Sequence, residues 1–172
     1  KKIIISSSRS IYGEGKYYCK QEGNVYPGDR KEEDLIKGYF DPRSPIGNGI
    51  LELKPTDELS KIHPSSIYGI TKHQQEQMIM LMGKVLNIPA VALRYQNVYG
   101  PGQSLSNPYT GILSIFSTIF LNRNNIEVYE DGKQSRDFVY IDDVVNATTM
   151  ALENDAANYE IFNVGFGEPT SV

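Results

Sequence analysis

The sequence predicts an α/β fold, and three observations carry that reading. Ile3-Ile4-Ile5 and residues 90–95 are β-branched or apolar runs with the look of buried parallel strands. Stretches with helical spacing follow them, through residues 67–86 and 112–120. The alternation of strand and helix suits right-handed β–α–β crossovers. A chain of 172 residues can bury one sizeable core, normally one domain.

Composition narrows the function classes. Seventeen basic against 21 acidic residues leave a formal charge of −4, with no basic cluster. Nucleic acid is therefore not an expected partner, because backbone binding rests on Lys and Arg neutralising phosphates. No apolar run approaches membrane-spanning length and no signal peptide precedes the first strand, so no membrane is expected. Cys19 is the single cysteine, which excludes a disulfide framework and a thiolate zinc site. His63 and His73 form no metal-binding pair at a recognised spacing. The expectation is a cytoplasmic protein with no metal. The sequon Asn146-Ala147-Thr148 falls inside a predicted helix and reads as chance.

The first strand runs into Ser6-Ser7-Ser8. Small hydroxyls at the carboxyl end of a parallel strand point into the crevice where open α/β sheets bind ligands, although serine caps free backbone groups anywhere. Residues 14–62 are rich in glycine, proline, tyrosine and charge. Within them Asp29-Arg30-Lys31-Glu32-Glu33-Asp34 is either a solvated run or the start of a short helix through Leu35 and Ile36.

Pro64-Ser65-Ser66 reads as a helix start. Ile67, Ile70, Met78, Leu81, Met82, Val85 and Leu86 then return to one side of the helix. Tyr68 and Lys72, at i and i+4, are neighbours on one face. A phenol beside an ammonium is a chemical device. An ordinary tyrosine pKa of about 10 must fall by about three units, about 4 kcal/mol, for a phenol to act as base near neutrality. A cation about 6 Å away, at an effective dielectric near 20, contributes about 2.8 kcal/mol of that. The alternative is a solvated helix face.

Asn87-Ile88-Pro89 breaks the helix before the next strand, and Asn97 lies just past that strand, near the Gly100-Pro101-Gly102 turn. Ile112, Ile115, Phe116, Ile119 and Phe120 predict a second amphipathic helix facing the core. Glu127-Val128-Tyr129 reads as a short strand before the Asp131-Gly132 turn. Arg136 opens the next strand, which runs to Ile141, and Asp142 and Asp143 suit the N-terminus of a following helix. Arg136 is either half of an ion pair with a neighbour such as Asp137 or a local cation for a diphosphate in an acidic protein. None of the fifteen glycines completes a dinucleotide fingerprint, and no Gly-Lys pair completes a P-loop.

Five blocks in order carry a resemblance: the 6–13 serine run, Tyr68-x-x-x-Lys72, Leu93-Arg94-Tyr95-Gln96-Asn97-Val98-Tyr99-Gly100-Pro101, Arg136-Asp137-Phe138-Val139-Tyr140-Ile141-Asp142-Asp143, and Phe162-Asn163-Val164-Gly165. Together they resemble the extended short-chain dehydrogenase/reductase family, in its branch of NAD-dependent sugar epimerases and dehydratases. The resemblance implies the C-terminal half of a Rossmann-like parallel sheet, with part of a smaller nucleotide-sugar-binding lobe. Residues 1–13 and 63–96 would be Rossmann-type core, 14–62 a long insertion, and 97–172 largely substrate lobe with return elements.

The cofactor implied is NAD and the substrate a nucleotide sugar. Ser8, Tyr68 and Lys72 would be catalytic. Tyr68, Lys72 and Tyr95 would meet the cofactor, and Ser8, Arg9, Asn97, Tyr129 and Arg136 the substrate. The reaction implied is 4-epimerisation of a UDP- or dTDP-hexose through a 4-keto intermediate, in a homodimer. A dehydratase, a reductase or a non-catalytic binding module of the same fold are the alternatives. Family dehydratases carry an acidic pair where Arg9 and Ser10 stand, which argues against that chemistry.

The 8–15 run and the long insertion are similar to dTDP-L-rhamnose 4-epimerases. The Cys-Pro-x-Cys-Gly arrangement of that group is missing at 45–49. The glycine-rich turn of the family would lie upstream of residue 1, so the chain reads as the middle of a longer enzyme, inactive alone.

Overall fold

The computed structural model describes residues 1–47, 49, 51–105 and 111–171; Asn48 of the 45–49 run and Val172 lie outside the described residues. In chain order the elements are β1 (Ile3–Ser8), a 3-10 turn (Arg9–Tyr12), β2 (Tyr17–Cys19), β3 (Gly23–Val25), α1 (Glu32–Ile36), β4 (Glu52–Leu53), α2 (Ile67–Val85) and β5 (Ala90–Tyr95). There follow β6 (Asn97–Tyr99), α3 (Ile112–Leu121), β7 (Ser135–Tyr140), α4 (Ile141–Glu153), a 3-10 turn (Asp155–Ala157), β8 (Ile161–Val164) and β9 (Pro169–Ser171).

Among the described residues three small sheets form. The central one is parallel, in the order β1-β5-β8, with Ile3 opposite Ala90, Ser8 opposite Tyr95, and Tyr95 opposite Val164. Residues 14–62 build their own antiparallel sheet, β3-β2-β4, with α1 beside it in sequence. In the third sheet β7 pairs β6 in parallel and β9 antiparallel.

Two helices cover opposite faces of the central sheet. Arg94 of β5 meets Glu76 of α2, whereas the next residue, Tyr95, meets Thr148 of α4. Successive side chains of a strand leave opposite faces, so α2 and α4 lie on different sides. The apolar core is on the α4 side: Val91, Leu93, Val139, Val144, Ala151 and Val164, with Ile4, Tyr95, Val98 and Ala147 packed against it.

The α2 side is built differently. A Cβ at Gly69 would stand 2.6 Å from the Ser10 carbonyl oxygen, and one at Gly83 would stand 2.7 Å from the Ala90 Cβ. Only glycine lets the helix approach this closely. The buried residues of α2 are Gly69, Glu76 and Gly83. The apolar stripe of the sequence reading therefore faces away from the sheet: Ile67 is 82% exposed, and Met78, Leu81 and Val85 are exposed with it.

Three further expectations are corrected. The α3 helix is half-buried rather than a core helix, with Phe120 73% exposed. Residues 127–129 form no strand; the chain there is irregular and Tyr129 is exposed. Ile141 opens α4 instead of closing β7, which places Asp142 and Asp143 in that helix's first turn, where the helix dipole favours them.

Candidate active site

The site begins where β1 ends. Ser8 is the N-cap of the 3-10 turn: its Oγ accepts from the Ser10 amide at 3.2 Å and donates to Ser10 Oγ at 3.1 Å. Both readings of the serine run therefore meet at Ser8, a capping hydroxyl at the carboxyl end of a parallel strand. The α2 helix starts alongside, with Ser66 as its N-cap accepting from the Gly69 amide at 3.0 Å. Pro64 precedes the helix. The close contact of Gly69 with Ser10 brings the first turn of α2, and so Tyr68, to the corner that Ser8 occupies.

Tyr68 is 54% exposed rather than packed away. The Lys72 ammonium lies 5.8 Å from the centre of the Tyr68 ring and donates to the Ser6 carbonyl at 3.0 Å. Of the three N–H donors of Lys72, that bond uses one and leaves two for a ligand.

Two of the arginines expected at the substrate, Arg9 and Arg136, influence each other electrostatically. Burial, and then the Arg136 guanidinium, lower Arg9 below the ordinary arginine value, while Glu14 and Tyr17 oppose that shift. Arg9 donates to the Gly13 carbonyl at 3.2 Å. Arg136 donates to the Ser135 carbonyl at 2.8 Å and to Gln134 Oε1 at 2.9 Å. No ion pair joins either of them to a carboxylate among the described residues. Asp137 instead accepts from the amides of Phe166 and Gly167, at 2.7 and 3.0 Å. Two guanidinium groups that feel each other's charge, neither ion-paired to a carboxylate among the described residues, suit an anion.

Other predicted residues are engaged elsewhere. The backbone of Tyr95 lies beside Ser8, but its phenol is 2.9 Å from Thr148 Oγ1, on the face opposite Tyr68. The alternation of β5 sends the side chain of Arg94 to the α2 side and that of Tyr95 to the core. Asn97 lies within β6, half-buried, and its amide donates to the Asp137 carbonyl at 3.1 Å. Tyr129 is 76% exposed beside Glu130, which receives Arg30 of the insertion at 2.8 and 2.9 Å.

A buried polar cluster escaped the sequence reading. Arg94 holds Glu76 through Nη2 at 2.6 Å and Nε at 3.1 Å, and Ser7 Oγ donates to Glu76 Oε2 at 2.5 Å. Arg94 Nη1 also donates to Tyr12 Oη at 2.6 Å, and Tyr12 donates to Asn163 Oδ1 at 2.9 Å. The available signal was an arginine inside an apolar strand and a glutamate two further i+4 steps along from Tyr68. A cavity of about 330 Å³ separates the insertion from the segment leading into α2, lined by Glu14, Tyr26, Asp29, Lys61, His63 and Ser65 among others. A larger concavity at the end of α3 holds none of these site residues.

Residues 1–165 match the profile of the Epimerase family, described as the NAD dependent epimerase/dehydratase family. The chain is 38% identical over 170 residues to a dTDP-L-rhamnose 4-epimerase of Burkholderia thailandensis, covering 99% of this chain and 46% of that protein. It superposes with a TM-score of 0.72 and 29% identity on a UDP-N-acetylglucosamine 4-epimerase from Methanobrevibacter ruminantium solved with UDP-N-acetylmuramic acid, covering 100% of this chain and 43% of that one. A UDP-glucuronic acid 4-epimerase from Bacillus cereus, solved with NAD, gives a TM-score of 0.70 at 27% identity, covering 99% and 43%. The chain thus spans about half the length of the relatives it matches.

Proposed function

The chain belongs to the NAD dependent epimerase/dehydratase family, and from that premise we propose that it forms part of an NAD-dependent nucleotide-sugar 4-epimerase. One observation carries the reading: Lys72 is held by the Ser6 carbonyl beside the exposed Tyr68, in the corner where Ser8 ends its strand. The two unspent donors of Lys72 fit ribose hydroxyls, so Lys72 and Tyr68 would meet the nicotinamide end of NAD. Tyr95 would contribute its backbone alone. Bound NAD would supply the acceptor and donor for the sugar's C4 hydride.

The work of this chain is proton transfer and orientation. Tyr68, as phenolate, takes the proton of the C4 hydroxyl and returns it after the 4-keto sugar has presented its other face. Ser8 bonds the sugar oxygen and relays the proton. Lys72 favours the phenolate through its charge. Arg9 and Arg136 grip the diphosphate, Asn97 borders it, and Tyr129 stacks on the base. A 4,6-dehydratase needs carboxylates where Arg9 and Ser10 stand, and Arg9 donates to the Gly13 carbonyl instead.

The division proposed is a Rossmann-type core from residues 1–13 and 63–96, an insertion over 14–62, and a substrate lobe with return elements beyond 97. The α4 helix and β8, which join the central sheet, supply those return elements. The outward apolar stripe of α2 supports a homodimer in which two such stripes meet about a two-fold axis. No described helix is long and apolar enough to cross a membrane, and we place the enzyme in the cytoplasm.

The test is incubation of the whole protein with a panel of UDP- and dTDP-hexoses. Interconversion of two C4 epimers without net NADH supports the reading. Loss of water or net NADH consumption would replace it with a dehydratase or a reductase.

A further inference from the structure

We propose that Ser7, Glu76 and Arg94 form a positioning cluster that sets the roll and slide of the Tyr68–Lys72 helix on its strand. This inference rests on Tyr68 and Lys72 being the reacting pair.

The cluster is a costly arrangement for stability alone. The side chains of Arg94 and Glu76 are 3% and 4% exposed, and two charges withdrawn this far from water lose hydration that their attraction need not repay. What the pair does supply is geometry. The guanidinium fork holds both carboxylate oxygens, fixing the orientation of Glu76. Ser7 then donates to one of those oxygens from β1, so a single side chain of α2 is pinned to β1 and β5 together.

The rest of the contact holds this geometry less tightly. Gly69 meets the 3-10 turn at Ser10 and Gly83 meets β5 at Ala90, at the two ends of α2, and their smooth backbones allow close approach without interdigitation. Most of the large apolar side chains of the helix, Ile67, Ile70, Met78, Leu81, Met82 and Val85, are exposed, and Ile79 and Met80 are only half-buried. Glu76 follows Lys72 and Tyr68 at successive i+4 steps, so a roll at Glu76 passes rigidly to both. A roll of about 10° moves an atom at a helix's outer radius of about 6 Å by about 1 Å, and a misplacement of that size can cost about a hundredfold in rate. The serine run at the end of β1 thus divides its labour: Ser6 presents its carbonyl to Lys72, Ser7 registers the helix, and Ser8 faces the substrate corner.

The test compares two variants of the whole protein, Ser7→Ala and Lys2→Met. Lys2 ties the other end of the sheet to α4, donating to the carbonyls of Ala151 and Asn154 at 3.0 and 2.8 Å, and touches nothing in the site. Ser7→Ala is expected to lower kcat about tenfold with KM within about twofold, and to speed amide hydrogen exchange across residues 67–73. Lys2→Met is expected to lower the melting temperature at least as far, with neither change. The proposal is overturned if Ser7→Ala keeps kcat within about twofold of wild type, or if kcat falls equally in both variants and so tracks stability. If the wild-type protein interconverts no nucleotide sugar, the functional reading fails separately and the exchange arm decides. Faster exchange at 67–73 in Ser7→Ala alone sustains the cluster's role, and unchanged exchange removes it.

Discussion

Lys72 donates to the backbone carbonyl of Ser6 at 3.0 Å, a bond between residues 66 apart in the chain. It ties the ammonium to the strand that delivers Ser8 and keeps the charge beside the Tyr68 ring. Lys72→Met in the whole protein should therefore lower turnover about a hundredfold or more, because charge and anchor vanish together. Steady-state kinetics with a C4 epimer pair checks this, and turnover within about threefold of wild type would reject the role of Lys72.

Tyr68→Phe should nearly abolish turnover while sugar-nucleotide affinity stays within a few-fold. The phenol acts in proton transfer, typically about 10²–10⁴-fold, rather than in ground-state binding. Calorimetric titration beside a rate measurement separates the two, and a variant that retains turnover would remove Tyr68 as the base.

Arg136→Ala should weaken the nucleotide sugar about tenfold to a hundredfold, the value of a charge-assisted contact, and NAD much less. Arg9→Ala should act in the same direction, since Arg136 already perturbs Arg9 electrostatically. Equal losses for both ligands would point to a general structural role instead.

The alkaline limb of stability should carry the signature of Tyr12. Burial, foremost, raises its pKa, against hydrogen bonds from Arg94 and to Asn163 that lower it. The folded phenol then keeps its proton where the unfolded one, with an ordinary pKa of about 10, loses it. Its contribution is complete below about pH 10 and is lost as pH rises through the folded value. Urea unfolding across this range should show a decline that is shallower in Tyr12→Phe, and equal slopes would refute the assignment.

The 172-residue chain by itself should not hold NAD stoichiometrically. It carries groups for the nicotinamide end, whereas the pyrophosphate of dinucleotides rests on a glycine-rich turn at a helix N-terminus, a motif its sequence does not contain. In the described sheet β1 is also an edge strand, a surface that promotes association. Equilibrium dialysis is the direct check, and micromolar binding at one site per chain would contradict this.

How much of the site was legible follows from range. The Ser66 cap, the i+4 pairing of Tyr68 with Lys72, and the buried run of β5 are local properties, set by neighbours within a turn or two of helix or along one strand. They could be read directly. The outward stripe of α2 could not, because periodicity locates an apolar face without saying what lies against it. Its buried positions are Gly69, Glu76 and Gly83, which carry no hydrophobic signal.

The sequence by itself determined an α/β chain with a Tyr–Lys pair on one helix, a serine run ending a strand, and an arginine opening another strand. Tertiary structure alone decided that Tyr95 turns to Thr148, that Arg9 comes under the charge of Arg136, and that Ser7, Glu76 and Arg94 converge. The first set depends on spacing along the backbone. The second depends on strand register and on which face of a sheet each helix covers, and those are fixed by contacts between residues tens of positions apart.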